Sequence, residues 1–186
     1  MIGCENINIV TPTHIVPVMV KALKLAVERG LNLPVVYNTG GYDSPSVIRL
    51  LDGIIDIYMP DIKTLSTAYA QRYLNAGDYP TIVKEVVKIM YSQVGDLKFD
   101  SEGKAIQGLL IRHLVMPEDI STTKEVMEFL ANEVSVHTYV NIMAQYHPEG
   151  MASKYKEINR TITISEFKRA IKWAEEAGIY RLDKYI

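Results

Sequence analysis

Asp61 and Lys63 stand two apart directly after the apolar run Ile54 to Met59. If that run is a strand, alternation carries both side chains to one side and Ile62 to the other, so a carboxylate and an ammonium would serve one ligand. The same spacing fits an Asp that starts a helix beside a solvated Lys. Arg112 lies inside another apolar run, Leu109 to Val115, where a cation is costly unless it is paired or faces a polar cavity. A structural ion pair and a ligand contact both meet that condition. His113 alternates to the opposite side and reads as a hydrogen-bonded core histidine. Asn38-Thr39-Gly40-Gly41 offers an amide, a hydroxyl and two residues that let backbone approach a ligand, or a simple tight turn. Thr11, His14 and His147 stand at further strand ends, where an imidazole can meet a ligand, whereas His137 precedes a strand and reads as structural.

Other chemistries find less support. A metal-dependent hydrolase or isomerase would take His14, Asp61 and His147 as ligands, but there is no HxH or HExxH pair. No GxSxG marks a nucleophile elbow, and Cys4 has no obvious base. The Asn38 to Gly41 run has neither dinucleotide-fingerprint nor P-loop spacing.

These residues recur where an apolar strand gives way to a polar junction. Ile7 to Val10 runs into Thr11-Pro12-Thr13-His14, Val35 to Tyr37 into Asn38, and Ile54 to Met59 into Pro60-Asp61. Leu109 to Val115 and Tyr139 to Met143 run into Met116-Pro117 and Gln145-Tyr146-His147 in the same way. In a parallel sheet the carboxyl ends of the strands share one edge, which would gather all five clusters. Helical spacing joins the strands: Ile15 to Arg29, Pro45 to Leu51 with Ser44 as N-cap, Leu65 to Ala76, and Pro80 to Val94. Capping boxes at Thr122 with Glu125 and Thr163 with Glu166 predict a helix over Lys124 to Asn132 and a last one ending at Gly178. Ser101-Glu102-Gly103 predicts a small hairpin. The expected fold is α/β in a single domain over residues 1–186, with a parallel sheet that is either doubly wound or an arc of a partial, incomplete TIM-type barrel.

With 48% hydrophobic and 23% charged residues, the 186-residue chain is ordinary for a globular domain with a sizeable core. A net charge of −2 with scattered Lys and Arg argues against a nucleic-acid partner. No apolar run suits a membrane span and no signal peptide opens the chain, so the expected setting is cytoplasmic. An opening almost directly on a strand suits either a complete small protein or a fragment.

At the residues above the chain resembles the radical S-adenosylmethionine family, specifically the pyruvate formate-lyase-activating enzymes and their relatives. Met59-Pro60-Asp61-Ile62-Lys63 is similar to the family's Met-x-Asp-x-Lys motif, which closes one side of the cofactor pocket. Tyr37-Asn38-Thr39-Gly40 resembles its Asp-Thr-Asn-Gly run, with the Asp absent and Asn and Thr reversed. Ile111-Arg112 to Pro117 is similar to Ile-Arg-x-x-x-x-Pro, and Gln145-Tyr146-His147 resembles Pro-Tyr-His, which carries an active-site His. Thr11-Pro12-Thr13-His14 occupies the place of Gly-Gly-Glu, as in a subgroup of the family.

The resemblance implies that Thr11, Asn38, Thr39, Asp61 and Arg112 bind S-adenosylmethionine while Lys63 and His147 serve catalysis. It also implies a 4Fe-4S cluster held by CxxxCxxC, for which Cys4 alone cannot suffice. The expectation is therefore a carboxyl-terminal part of a radical enzyme, inactive alone, whose intact parent carries the cluster and acts on a protein or small-molecule substrate. An exposed edge strand offers a route to homo-oligomers. A non-catalytic interaction module is the expectation from a different class.

Overall fold

The computed structural model describes residues 3–183. Its sheet has six strands: β1 (Ile7–Val10), β2 (Val35–Thr39), β3 (Ile57–Pro60), β4 (Lys98–Phe99), β5 (Ala105–Leu114) and β6 (Tyr139–Met143). The parallel strands stand in the order β1, β2, β3, β5, β6. Each is laid beside its predecessor, without the reversal that makes a doubly wound sheet. Short β4 pairs antiparallel with the amino-terminal end of β5, forming the hairpin expected at Ser101 to Gly103. The sheet does not close on itself among the described residues.

Helices α1 (Val16–Glu28), α2 (Pro45–Leu50), α3 (Thr67–Tyr69), α4 (Tyr79–Val94), α5 (Thr123–Phe129) and α6 (Ile164–Glu176) complete the fold. Alternation along the strands divides the sheet into two unlike faces. Val35, Tyr37, Tyr58, Leu109, Ile111, Val140 and Ile142 pack in one core with Met19, Val83, Val87, Met90 and Met127 from the helices. The opposite face carries a small apolar cluster around Val36, Ile57 and Leu97, and leaves Val10 64% exposed.

Several boundaries differ from the sequence expectation, each for a local reason. The two runs Lys104 to Gln107 and Leu109 to Val115 form the single strand β5, because Gly108 crosses between them at φ +125°. A Cβ there would meet the Leu97 Cα at 2.4 Å, so this crossing needs glycine. The run Ile54 to Met59 becomes a strand only from Ile57, since Leu51 to Ile54 are spent turning out of α2. The helix expected over Leu65 to Ala76 is one turn, α3, followed by a π-turn over Ala70–Leu74. Likewise α5 passes into a π-turn at Leu130–Val134.

The capping box at Thr122 does not form. Thr122 sits at φ +49° and its hydroxyl accepts the Leu65 N–H at 2.7 Å, so Asp119 caps the Thr123 N–H instead, at 3.0 Å. Ser44 stands at the N-cap of α2, but its hydroxyl bonds Ser46 rather than backbone. The box at Thr163 with Glu166 is complete in both directions. Arg160 reinforces it with two N–H groups on the Glu166 carboxylate, at 2.9 and 2.8 Å, and holds that carboxyl well below the usual range.

Candidate functional site

The carboxyl ends of β3 and β5 lie side by side, and a bridge pairs Asp61 with Arg112. Alternation past β3 buries Ile62 completely in the core and leaves Asp61 and Lys63 on the open side. Arg112 places Nε and Nη2 on the same Asp61 oxygen, Oδ1, at 2.8 and 2.7 Å. Lys63 Nζ takes the other oxygen, Oδ2, at 3.0 Å. The strand-borne Arg is therefore ion-paired, and two cations share one carboxylate. Lys63 and Arg112 side chains are 43% and 30% exposed, so both stay within reach of a ligand.

A cavity of about 310 Å³ opens over this triad and is walled on its apolar side by Leu114, Met116 and Met143. A second, of about 280 Å³, adjoins it through Lys63, Leu74 and Met116. Tyr69, Tyr73, Tyr146, His147 and Tyr155 line that second space. His147 is thus not in the charged cavity itself, but Lys63 faces both.

One face of the junction is set by hydrogen bonds that the sequence does not advertise. The Tyr79 hydroxyl accepts the Lys63 N–H at 3.1 Å and directs its proton between the carbonyls of Gly40, at 3.0 Å, and Asp61, at 3.1 Å. Burial pushes this phenol above its ordinary pKa, so it stays neutral and keeps that proton. Tyr79 thereby clamps the turn after β2 to the turn after β3. Gly41 makes the approach feasible: at φ +78°, a Cβ would stand 2.5 Å from the Asp61 carbonyl oxygen.

Asp43 organises the β2 end from beneath. It is 2% exposed and accepts hydroxyl protons from Thr13 at 2.8 Å, Tyr37 at 2.9 Å and Thr39 at 2.5 Å. The Thr39 hydroxyl is consequently turned toward the helix side, away from Asp61 and Lys63. Asn38 alternates to the other face, in register with Val10 and Met59, and its carbonyl accepts the Thr11 N–H at 2.7 Å. Thr11 is exposed beside it at φ +52°. Of the sequence candidates, Asp61, Lys63 and Arg112 touch, Asn38 and Thr11 lie farther along the same sheet toward β1, Thr39 faces away, and His147 stands in the neighbouring cavity.

The other histidines separate clearly. His113 is fully buried: Nδ1–H donates to the Ile62 carbonyl at 2.9 Å and Nε2 accepts the Thr123 hydroxyl at 3.0 Å. Burial pushes its pKa down to about 4, so it is a neutral strut that fixes Ile62 beneath the site. His14 is exposed, and His137 pairs with Tyr180 at 2.5 Å. His14, Asp61 and His147 do not gather; among the described residues no three His, Cys, Asp or Glu side chains group as a metal site. Cys4 is exposed and free.

Sequence reasoning missed Tyr79, Asp43, Tyr69, Tyr73 and Tyr155, whereas Tyr146 of the second cavity stood in the Gln145-Tyr146-His147 run. Of the missed residues Asp43 alone carried a signal, as an acid two residues after a Gly-Gly turn. No helix is long and apolar enough to cross a membrane among the described residues.

No known family description matches the chain. Over 182 residues, 96% of its length, the chain is 31% identical to an uncharacterized protein of Methanocaldococcus jannaschii. The match covers 48% of that protein, so the chain spans about half the length of the relative it resembles.

Proposed function

We propose that the chain is the carboxyl-terminal part of a radical S-adenosylmethionine enzyme resembling the pyruvate formate-lyase-activating enzymes, and that its open sheet is an arc of a partial TIM-type barrel. What supports this reading above all is the Asp61, Lys63 and Arg112 triad. It stands on the uncovered face, at the carboxyl edge, of a parallel sheet whose strands follow one another in sequence order. In barrels built that way this edge is where ligands bind.

The residues present suit the cofactor better than they suit the cluster. S-adenosylmethionine combines a carboxylate, two cationic centres, a ribose diol and a flat base. Arg112 answers the carboxylate, Asp61 accepts from hydroxyl or ammonium protons, and Leu114, Met116 and Met143 offer an apolar wall for the base. Asn38 brings an amide to the same face, and Thr39 holds that turn in place through Asp43. A 4Fe-4S site takes three thiolates, and Cys4 is the one cysteine of the chain. The cluster therefore does not fit these residues, and we assign no electron-transfer step to them. When bound to a reduced cluster, S-adenosylmethionine supplies hydrogen-atom abstraction from a substrate. The part of this chain is to bind and orient the cofactor and to hold the substrate near His147 and Lys63.

Calorimetry with S-adenosylmethionine tests the reading. Saturable binding is expected, weak because only part of the pocket is present. Asp61→Asn and Arg112→Met each weaken it at least about tenfold, the loss of one charge-assisted contact. Wild-type protein of unchanged melting temperature that shows no saturable heat would sink the reading.

A further inference from the structure

We propose that the tyrosine-lined cavity is a substrate subsite for a compact aromatic carboxylate, with its ring among Tyr69, Tyr73 and Tyr155 and its carboxylate at Lys63 and His147. This rests on the proposed function only for the word substrate; the binding site itself stands on its own geometry.

Shape and polarity indicate the ring. Tyr73 and Tyr155 meet edge to face with centroids 5.2 Å apart, and Tyr69 lies 6.0 Å from Tyr73. Two hydroxyls of the lining are satisfied within the protein: the Tyr73 hydroxyl donates to Glu157 at 2.7 Å, and the Tyr146 hydroxyl to the Ile158 carbonyl at 2.9 Å. Arg72 covers the outside of the pair, 5.5 and 5.4 Å from the Tyr73 and Tyr155 ring centroids, and also pairs with Glu157. Aromatic walls fixed in this manner leave faces and edges for another flat apolar group.

Charge indicates the carboxylate. Lys63 supplies the ammonium among the residues lining this space, and the carboxylate it pairs with, Asp61, belongs to the neighbouring cavity and is shared with Arg112, so that cluster keeps one positive charge in surplus. The carboxylate behind them, Asp43, is committed to the three hydroxyls of Thr13, Tyr37 and Thr39. Glu149 lines the same cavity as an exposed residue and disfavours a second anionic group there. An amphiphile with one anionic end, buried toward Lys63, meets both conditions.

The test uses the full chain with 3-phenylpropionate as probe, and 3-phenylpropylamine and butyrate as controls, followed by the methionine methyl signals in NMR. We expect 3-phenylpropionate to bind saturably and at least about tenfold more tightly than either control, moving Met116 and Met151, which line the cavity, and not Met19 and Met90, which lie in the helix-side core. Tyr69→Ala weakens the probe at least about fivefold and leaves S-adenosylmethionine binding unchanged, since Tyr69 lines the second cavity and not the first. Equal affinity for the amine, absence of saturation, or shifts confined to other methionines overturns the proposal. Probe binding without S-adenosylmethionine binding removes the proposed function and keeps the subsite; the converse removes the subsite alone.

Discussion

His113, the core histidine that strand alternation predicts, is a support with its own pH signature. Its pKa falls from an unfolded value of 6.5 to about 4 because burial opposes the imidazolium. As pH drops below 6.5 the unfolded chain takes up a proton that the folded chain refuses, so this histidine's contribution is complete above 6.5 and disappears as pH falls through that value toward 4. Urea unfolding at successive pH values is expected to lose up to about 3 kcal/mol between those limits. His113→Gln abolishes that slope above the carboxylate range. A slope that survives the substitution would show that the proton is taken up elsewhere.

The sequence spoke clearly at this scale wherever strand alternation decides direction. Asp61 and Lys63 on one side, Ile62 and His113 on the other, all follow from a period of two. It was silent about Tyr79 because the role of that hydroxyl depends on where two separate turns arrive, and no local pattern encodes such a meeting. For Thr39 the motif position suggests a ligand contact, while one residue of alternation and a buried acid four positions later turn its hydroxyl toward the helices.

At the scale of elements, regular strands and long helices were legible and their irregular ends were not. Both π-turns, at Ala70–Leu74 and Leu130–Val134, continue helices whose apolar spacing looks ordinary, because one extra residue per turn leaves little trace in composition. Thr122 was drawn from a capping box into the left-handed region by a tertiary hydrogen bond to Leu65, a partner 57 positions away. The turns that position the triad are in turn sensitive to backbone bulk. Gly41→Ala adds a methyl 2.5 Å from the Asp61 carbonyl oxygen and 2.8 Å from Val83, at a φ that disfavours any side chain. We expect a stability loss of about 2–4 kcal/mol in chemical denaturation, together with weakened S-adenosylmethionine binding, because the clamp between the two turns must open. Gly40→Ala is a suitable control: its Cβ would find only the Lys63 Cε, at 3.7 Å.

For the whole molecule, the consequence of an open sheet falls on β1. Among the described residues it pairs with β2 and no other strand; the Ile7 and Thr11 N–H groups reach the Pro34 and Asn38 carbonyls, so Asn8 and Val10 direct theirs to the free edge. Hydrogen exchange at Asn8 and Val10 is expected to be fast in dilute solution while Val36, Tyr37 and Tyr58 are protected. Should copies of the chain associate through this edge, protection at those two amides will rise with protein concentration. Protection independent of concentration would instead mean that something within the chain covers the strand. Sequence established the parallel α/β class through its alternation of strands and helices; the order in which the strands are laid down became visible only in three dimensions.

That order has a bearing on how the protein is made. Because every parallel strand docks on the one synthesised before it, the sheet can grow in step with translation, each new β-α unit finding a finished template as it leaves the ribosome. A doubly wound sheet must wait for later strands to flank its first one. Here removal of the chain from Tyr139 onward, β6 and α6 together, would peel the last layer and leave the earlier pairings whole, so nascent chains of increasing length should acquire protease resistance in steps.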